Sequence, residues 1–302
     1  ATAGGAVTDS GTLAIAGATT ISASGQDITL DEAASTFGTL ALTGVNVAVT
    51  ENAATDLGAS TVSGTLGITS AGAVTDSGTL AITGATTISA SGQDITLDES
   101  ASTFGTLALT GANVAVTDAG AVDLGASTVS GTLGITSAGA VTDSGTLAIT
   151  GATTISASGQ DITLDESAST FGTLALTGAN VAVTDAGATD LGASTVSGTL
   201  GITSAGAVTD SGTLAITGAT TISASGQDIT LDESASTFGS LLLTGANVAV
   251  TDAGAVDLGA STVGGTLGIT SAGAVTDSGT LAITGATTIS ASGQDITLDE
   301  SA

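Results

Sequence analysis

Gly78-Thr79-Leu80-Ala81-Ile82-Thr83, Asp94-Ile95-Thr96-Leu97-Asp98, Thr106-Leu107-Ala108-Leu109-Thr110 and Asn113-Val114-Ala115-Val116-Thr117 follow one another along a single stretch of the chain. Each alternates apolar with polar or small residues at a period of two, the signature of a strand with one buried face. Val122 with Leu124, and Leu133 with Ile135, continue the pattern. β-Branched residues are abundant and helix-period stripes are absent. Glycines at 84, 92, 105, 111, 120, 125, 131 and 139 separate these pieces, beside Ser, Ala, Asn or Asp, as tight corners require. The reading is therefore all-β, built from strands of five to seven residues.

Working outward, the whole passage recurs at a fixed interval. Ser-Gly-Thr-Leu-Ala-Ile starts at Ser10 and returns at Ser77, Ser144, Ser211 and Ser278, a period of 67, with one Phe per unit: Phe37, Phe104, Phe171 and Phe238. The repeats are taken as 11–77, 78–144, 145–211 and 212–278, with partial units 1–10 and 279–302. The chain opens and closes within a repeat and reads as a window on a longer polypeptide. A strict internal period points to an architecture that grows along one axis rather than to separate globular domains.

Propeller blades are typically about 40–50 residues with aromatic signatures, and a sandwich domain needs about 100 residues. Neither suits this period, with one Phe per unit and otherwise small apolar side chains. The expectation is a parallel right-handed β-helix (a β-solenoid) with about three rungs per repeat, each of about 22 residues and three-sided. Handedness follows the general chirality of parallel crossovers. Strands stacked about 4.8 Å apart would advance about 14 Å per repeat and give a rod of roughly 65 Å. Gly-Thr-Leu begins at Gly78, Gly105, Gly131 and Gly145, and the last step is too short for a full turn.

The run Gly78-Thr79-Leu80-Ala81-Ile82-Thr83, with Thr87-Ile88-Ser89-Ala90-Ser91-Gly92-Gln93-Asp94-Ile95-Thr96-Leu97, resembles the shaft repeats of filamentous-haemagglutinin-type adhesins and related giant secreted bacterial β-helix proteins. That resemblance implies an exported, surface-anchored or shed fibre. Its shaft would be mechanical and its binding regions would lie elsewhere, so no functional residue transfers to this chain.

Composition narrows the chemistry. The chain has 28 acidic residues and no Lys, Arg or His, for a formal charge of −28, and lacks Pro, Cys, Met, Trp and Tyr. Nucleic acid is excluded as a partner, because phosphate contacts need cations, and anionic lipid surfaces are disfavoured. No apolar run approaches a membrane span. Absence of Cys leaves no disulfide or thiol chemistry to read. A hydrophobic content of 41%, regularly placed, is enough for the chain to fold.

Only Asp, Glu, Ser and Thr remain as catalytic candidates. Asp98-Glu99 is the one adjacent carboxylate pair, and neighbours on a strand face opposite ways. Every carboxylate recurs in every repeat and no cation is present to stabilise an anion, so no catalysis, no catalytic residue and no cofactor are expected. Solvated carboxylates keeping a fibre soluble are the simplest reading. Asp76, Asp94, Asp98, Glu99, Asp118 and Asp123 could bind Ca²⁺ weakly, but calcium-loop motifs are absent and no metal site is named. Separation of each Asp from its own copy by three rungs eases repulsion. Outward Thr79, Thr83, Thr106, Thr110, Thr132 and Thr136 could form a ladder suited to ice or another flat surface.

The expected role is a structural segment of an extracellular or cell-surface fibre, with Ca²⁺ binding or an ice-binding Thr ladder as the alternative. Its expected partner is itself, end to end or laterally. A host or neighbouring cell would be reached through regions outside this chain.

Overall fold

The computed structural model describes residues 1–299, so the last three positions of the partial repeat 279–302 lie outside the described residues. The chain divides into two compact units, Ala1–Gly151 and Ala152–Ala302. Among the described residues there are 41 strands of two to six residues and no helix. Their pairings are parallel, and they stack in about 15 turns counted over the two units. The protein is a β-solenoid.

In the first unit, one sheet stacks Ile28–Leu30, Val47–Glu51, Leu66–Ser70, Thr86–Ser89 and Thr106–Gly111. The opposing sheet stacks Thr55–Leu57, Val74–Asp76, Ile95–Leu97, Val114–Asp118 and Leu133–Ser137. Inward positions carry the core: Val47, Leu66, Ile68, Ile88, Leu107 and Leu109 from one side, Leu57, Val74, Ile95, Leu97, Val114 and Val116 from the other. Each fully buried Leu, Ile or Val contributes about 1.5–3 kcal/mol relative to exposure. Because the coil is thin, these few side chains fill it, and the single Phe of each complete repeat is the largest of them.

A coil is shorter than the strand count predicts. Register steps of 19, 20 and 21 along the chain lead from Val47 to Leu66, to Thr86 and to Leu107. A little further along, Val114, the counterpart of Val47 one repeat on, lies in the opposing sheet. A repeat therefore spans three coils and a half. The second unit does the same: Val181, Leu200, Thr220 and Leu241 share one sheet, and Val248 lies in the other.

The half coil arises from an exchange of sides. One side of a coil is a single strand and the other is two short strands around a bend, as in Thr55–Leu57 with Ser60–Val62. At Thr106–Gly111 the roles swap, for this six-residue strand is covered by both Val122–Leu124 and Ser127–Val129. The bend deprives Leu109 of a backbone acceptor. Its N–H donates instead to Ser127 Oγ at 3.0 Å, while that hydroxyl donates to Gly125 O at 2.8 Å. Buried Ser60, Ser194 and Ser261 repeat the device.

Two glycines show what the corners demand. Gly92 has φ +73° in the turn Ala90–Gln93, closed by Gln93 N–H donating to Ala90 O at 2.9 Å. That is the type II geometry that favours Gly at its third position. Gly78 lies so close to the coil below that a Cβ would stand 2.2 Å from Ala59 N.

Candidate functional site

The acidic residues fall into sets with different surroundings. The first is inward. Asp118 follows Val114 and Val116 in the same alternation and is 2% exposed. Its carboxylate accepts the N–H of Gly120 at 2.7 Å and that of Phe104, from the coil below, at 3.1 Å. Asp185 and Asp252 are placed alike, and Glu51 takes the N–H of Phe37 at 2.7 Å. Burial raises the pKa of all four, opposed by these hydrogen bonds. The expectation that carboxylates are uniformly solvated is corrected here: a strand of inward Val residues carries its alternation one step too far, and the buried acid finds backbone donors.

The second set lies at an outer corner. Asn113 donates through both its backbone N–H and its Nδ2 to Asp94 Oδ1, at 3.1 and 2.9 Å, and accepts at Oδ1 from Thr132 N–H and Oγ1. The same three-rung ladder joins Asp27, Asn46 and Thr65, and joins Asp228, Asn247 and Thr266. A third set is flanked by hydroxyls. Asp123 Oδ2 accepts from Thr106 Oγ1 of the coil below and Ser144 Oγ of the coil above, both at 2.8 Å. Asp56 and Asp190 are held the same way.

The last set includes the adjacent pair. Asp98 is exposed and Glu99 half-buried, and their backbone N–H groups donate to the Asp76 carboxylate at 2.9 and 3.4 Å. Burial raises the pKa of Asp76, and the charges of Asp98 and Glu99 add to the rise. Asp210 stands in the same relation to Asp232 and Glu233. Among the described residues no three carboxylates converge as a metal-binding group. The six threonines of the candidate ladder point outward or lie half-buried at the surface.

Each of these sets returns with the next copy of the sequence, and a family model finds the same period. It is described as repeats of unknown function (DUF5649) and matches residues 1–43, 44–110, 111–177, 178–244 and 245–302. The chain belongs to this family. No curated protein and no solved structure matches it.

The DUF5649 frame opens at Gly44, Gly111, Gly178 and Gly245, the last residues of the six-residue strands at which the two sides exchange. In this frame further signals in the sequence stand out. Asp118 was legible as the third inward position after Val114 and Val116. Asp94, Asn113 and Thr132 are separated by 19 at both steps, which is the coil itself. Gly-Thr-Leu misled because Leu80 and Leu107 occupy opposite sheets, so their separation measures no coil.

No helix of the described residues is long and apolar enough to cross a membrane.

Proposed function

We propose that the chain is a structural, non-enzymatic segment of a long extracellular surface fibre, in which each DUF5649 repeat adds length and stiffness. One observation carries the reading: hydrogen bonds from acids, amides and hydroxyls of one coil to the next recur along the chain at the period of the sequence. Asp123 between two hydroxyls and Asp94 under Asn113 are examples. The resemblance to filamentous-haemagglutinin-type shafts supports an exported location and a mechanical role, with self-association as the first partner and no cofactor required.

Three and a half coils at about 4.8 Å give about 17 Å of length per repeat. X-ray scattering on chains of two, three and four repeats should therefore show the maximum dimension rising by that increment. A dimension that stays flat as repeats are added would overturn the shaft reading. Antibody against the repeat should label intact cells of the source as strongly as permeabilised ones; labelling confined to permeabilised cells would refute the surface location.

A further inference from the structure

We propose that the inward carboxylate of each repeat is a proton-holding latch, so that mild acid tightens the solenoid instead of loosening it. The geometry is specific. Glu51, Asp118, Asp185 and Asp252 are each at most 2% exposed. The chain has no Lys, Arg or His to pair with them. Their partners are backbone N–H groups and, for Asp185, the Thr189 hydroxyl, and Oε2 of Glu51 has no partner at all. A buried anion with neutral donors alone is costly, and protonation removes that cost.

Every titratable group on the elements packed around the latch has the same sign. For Asp118 these are Asp94, Asp98 and Glu99 flanking Ile95–Leu97 in the coil below, and Asp123 on the strand that follows. Thr106–Gly111 and the covering strand Leu133–Ser137 carry none. None of them is a cation that could offset the buried charge.

The sign of the pH effect follows from the raised pKa values. The folded chain holds protons that the unfolded chain has released, so the associated stability is fully present below the unfolded carboxyl value, about pH 4. It is lost as the pH rises through the raised folded values. Most proteins instead lose stability on acidification, because their native carboxylates are favourably paired; here the order is reversed.

The test is thermal unfolding of the whole chain between pH 8 and pH 4.5 in about 1 M salt, where repulsion among surface charges is screened to about 3 Å. The midpoint is expected to rise by several degrees on acidification. The combined variant Glu51→Gln, Asp118→Asn, Asp185→Asn and Asp252→Asn should lose at least half of that rise, the remainder belonging to Asp76 and Asp210. A midpoint that falls in acid, or a rise that survives intact in the variant, overturns the proposal. Should the variant fail to fold, ¹³C carboxyl NMR of the unaltered chain decides instead. Resonances of the inward acids titrating above the ordinary Asp and Glu range support the latch, and titration within or below that range refutes it.

Discussion

The corner at Glu51–Thr55 and the corner at Asp118–Val122 follow the same path with different chemistry. At the second, Asp118 binds two backbone donors, Phe104 and Gly120, and Gly120 is small where a Cβ would meet Asp118 Oδ1 at 3.4 Å. At the first, the longer Glu51 reaches Phe37 alone, Ala53 stands where Gly120 would be, and one carboxylate oxygen is left over. Thr55 replaces Val122 and donates to Ser70 Oγ at 3.0 Å, filling the same inward place with a bonded hydroxyl. What the two share is a buried acceptor over the N–H of the Phe. The corner is thus defined by an orphan donor that must be satisfied, and either acid can do it.

The comparison can be broken most forcefully at the two-donor corner. Asp118→Ala leaves the Phe104 and Gly120 N–H groups without acceptors and is expected to cost about 2–4 kcal/mol, against roughly half that for Glu51→Ala, where one donor is orphaned. Urea unfolding, with amide exchange at Phe104 and Phe37 as the local readout, checks both values; equal losses would show that the second hydrogen bond contributes nothing. Ser127→Ala asks whether the exchange of sides depends on one hydroxyl. Stripping the Leu109 N–H of its acceptor should cost about 1–3 kcal/mol and raise exchange at that amide first.

A gain is expected from rewriting the first corner as the second. Glu51→Asp combined with Ala53→Gly should recover the missing hydrogen bond and stabilise by about 1 kcal/mol, less the backbone entropy of the new glycine. The smallest effect lies away from the corners. Thr86 is fully buried between Leu66 and Leu107 with an unpartnered hydroxyl. Thr86→Val should therefore be neutral or stabilise by up to about 1 kcal/mol, read as a shift in urea midpoint at constant m-value.

Much of this structure was legible beforehand, for identifiable reasons. Alternation in Leu107-Ala108-Leu109 and Val114-Ala115-Val116 specified which side chains face inward, because a strand has only two faces and one must leave water. The strict repeat, with small apolar residues and a single Phe, left room only for a thin coil. The number of coils per repeat was harder. A Gly corner, an outward Thr and an inward Leu suit either side of the coil, so the phrase beginning at Gly78 and the phrase beginning at Gly105 are written alike while lying in opposing sheets. The acid at position 118 suggests surface charge by residue type and an inward place by phase, in step with Val114 and Val116. Its phase was the better guide.

The sequence alone determined strand, corner and inward face, since these depend on period and on conformational freedom at single residues. Only the tertiary structure decided the half coil, the exchange of single-strand and two-strand sides, and the burial of one carboxylate per repeat. Those depend on which N–H groups are left without acceptors when one coil is laid on another, a count that does not exist until the coils are stacked.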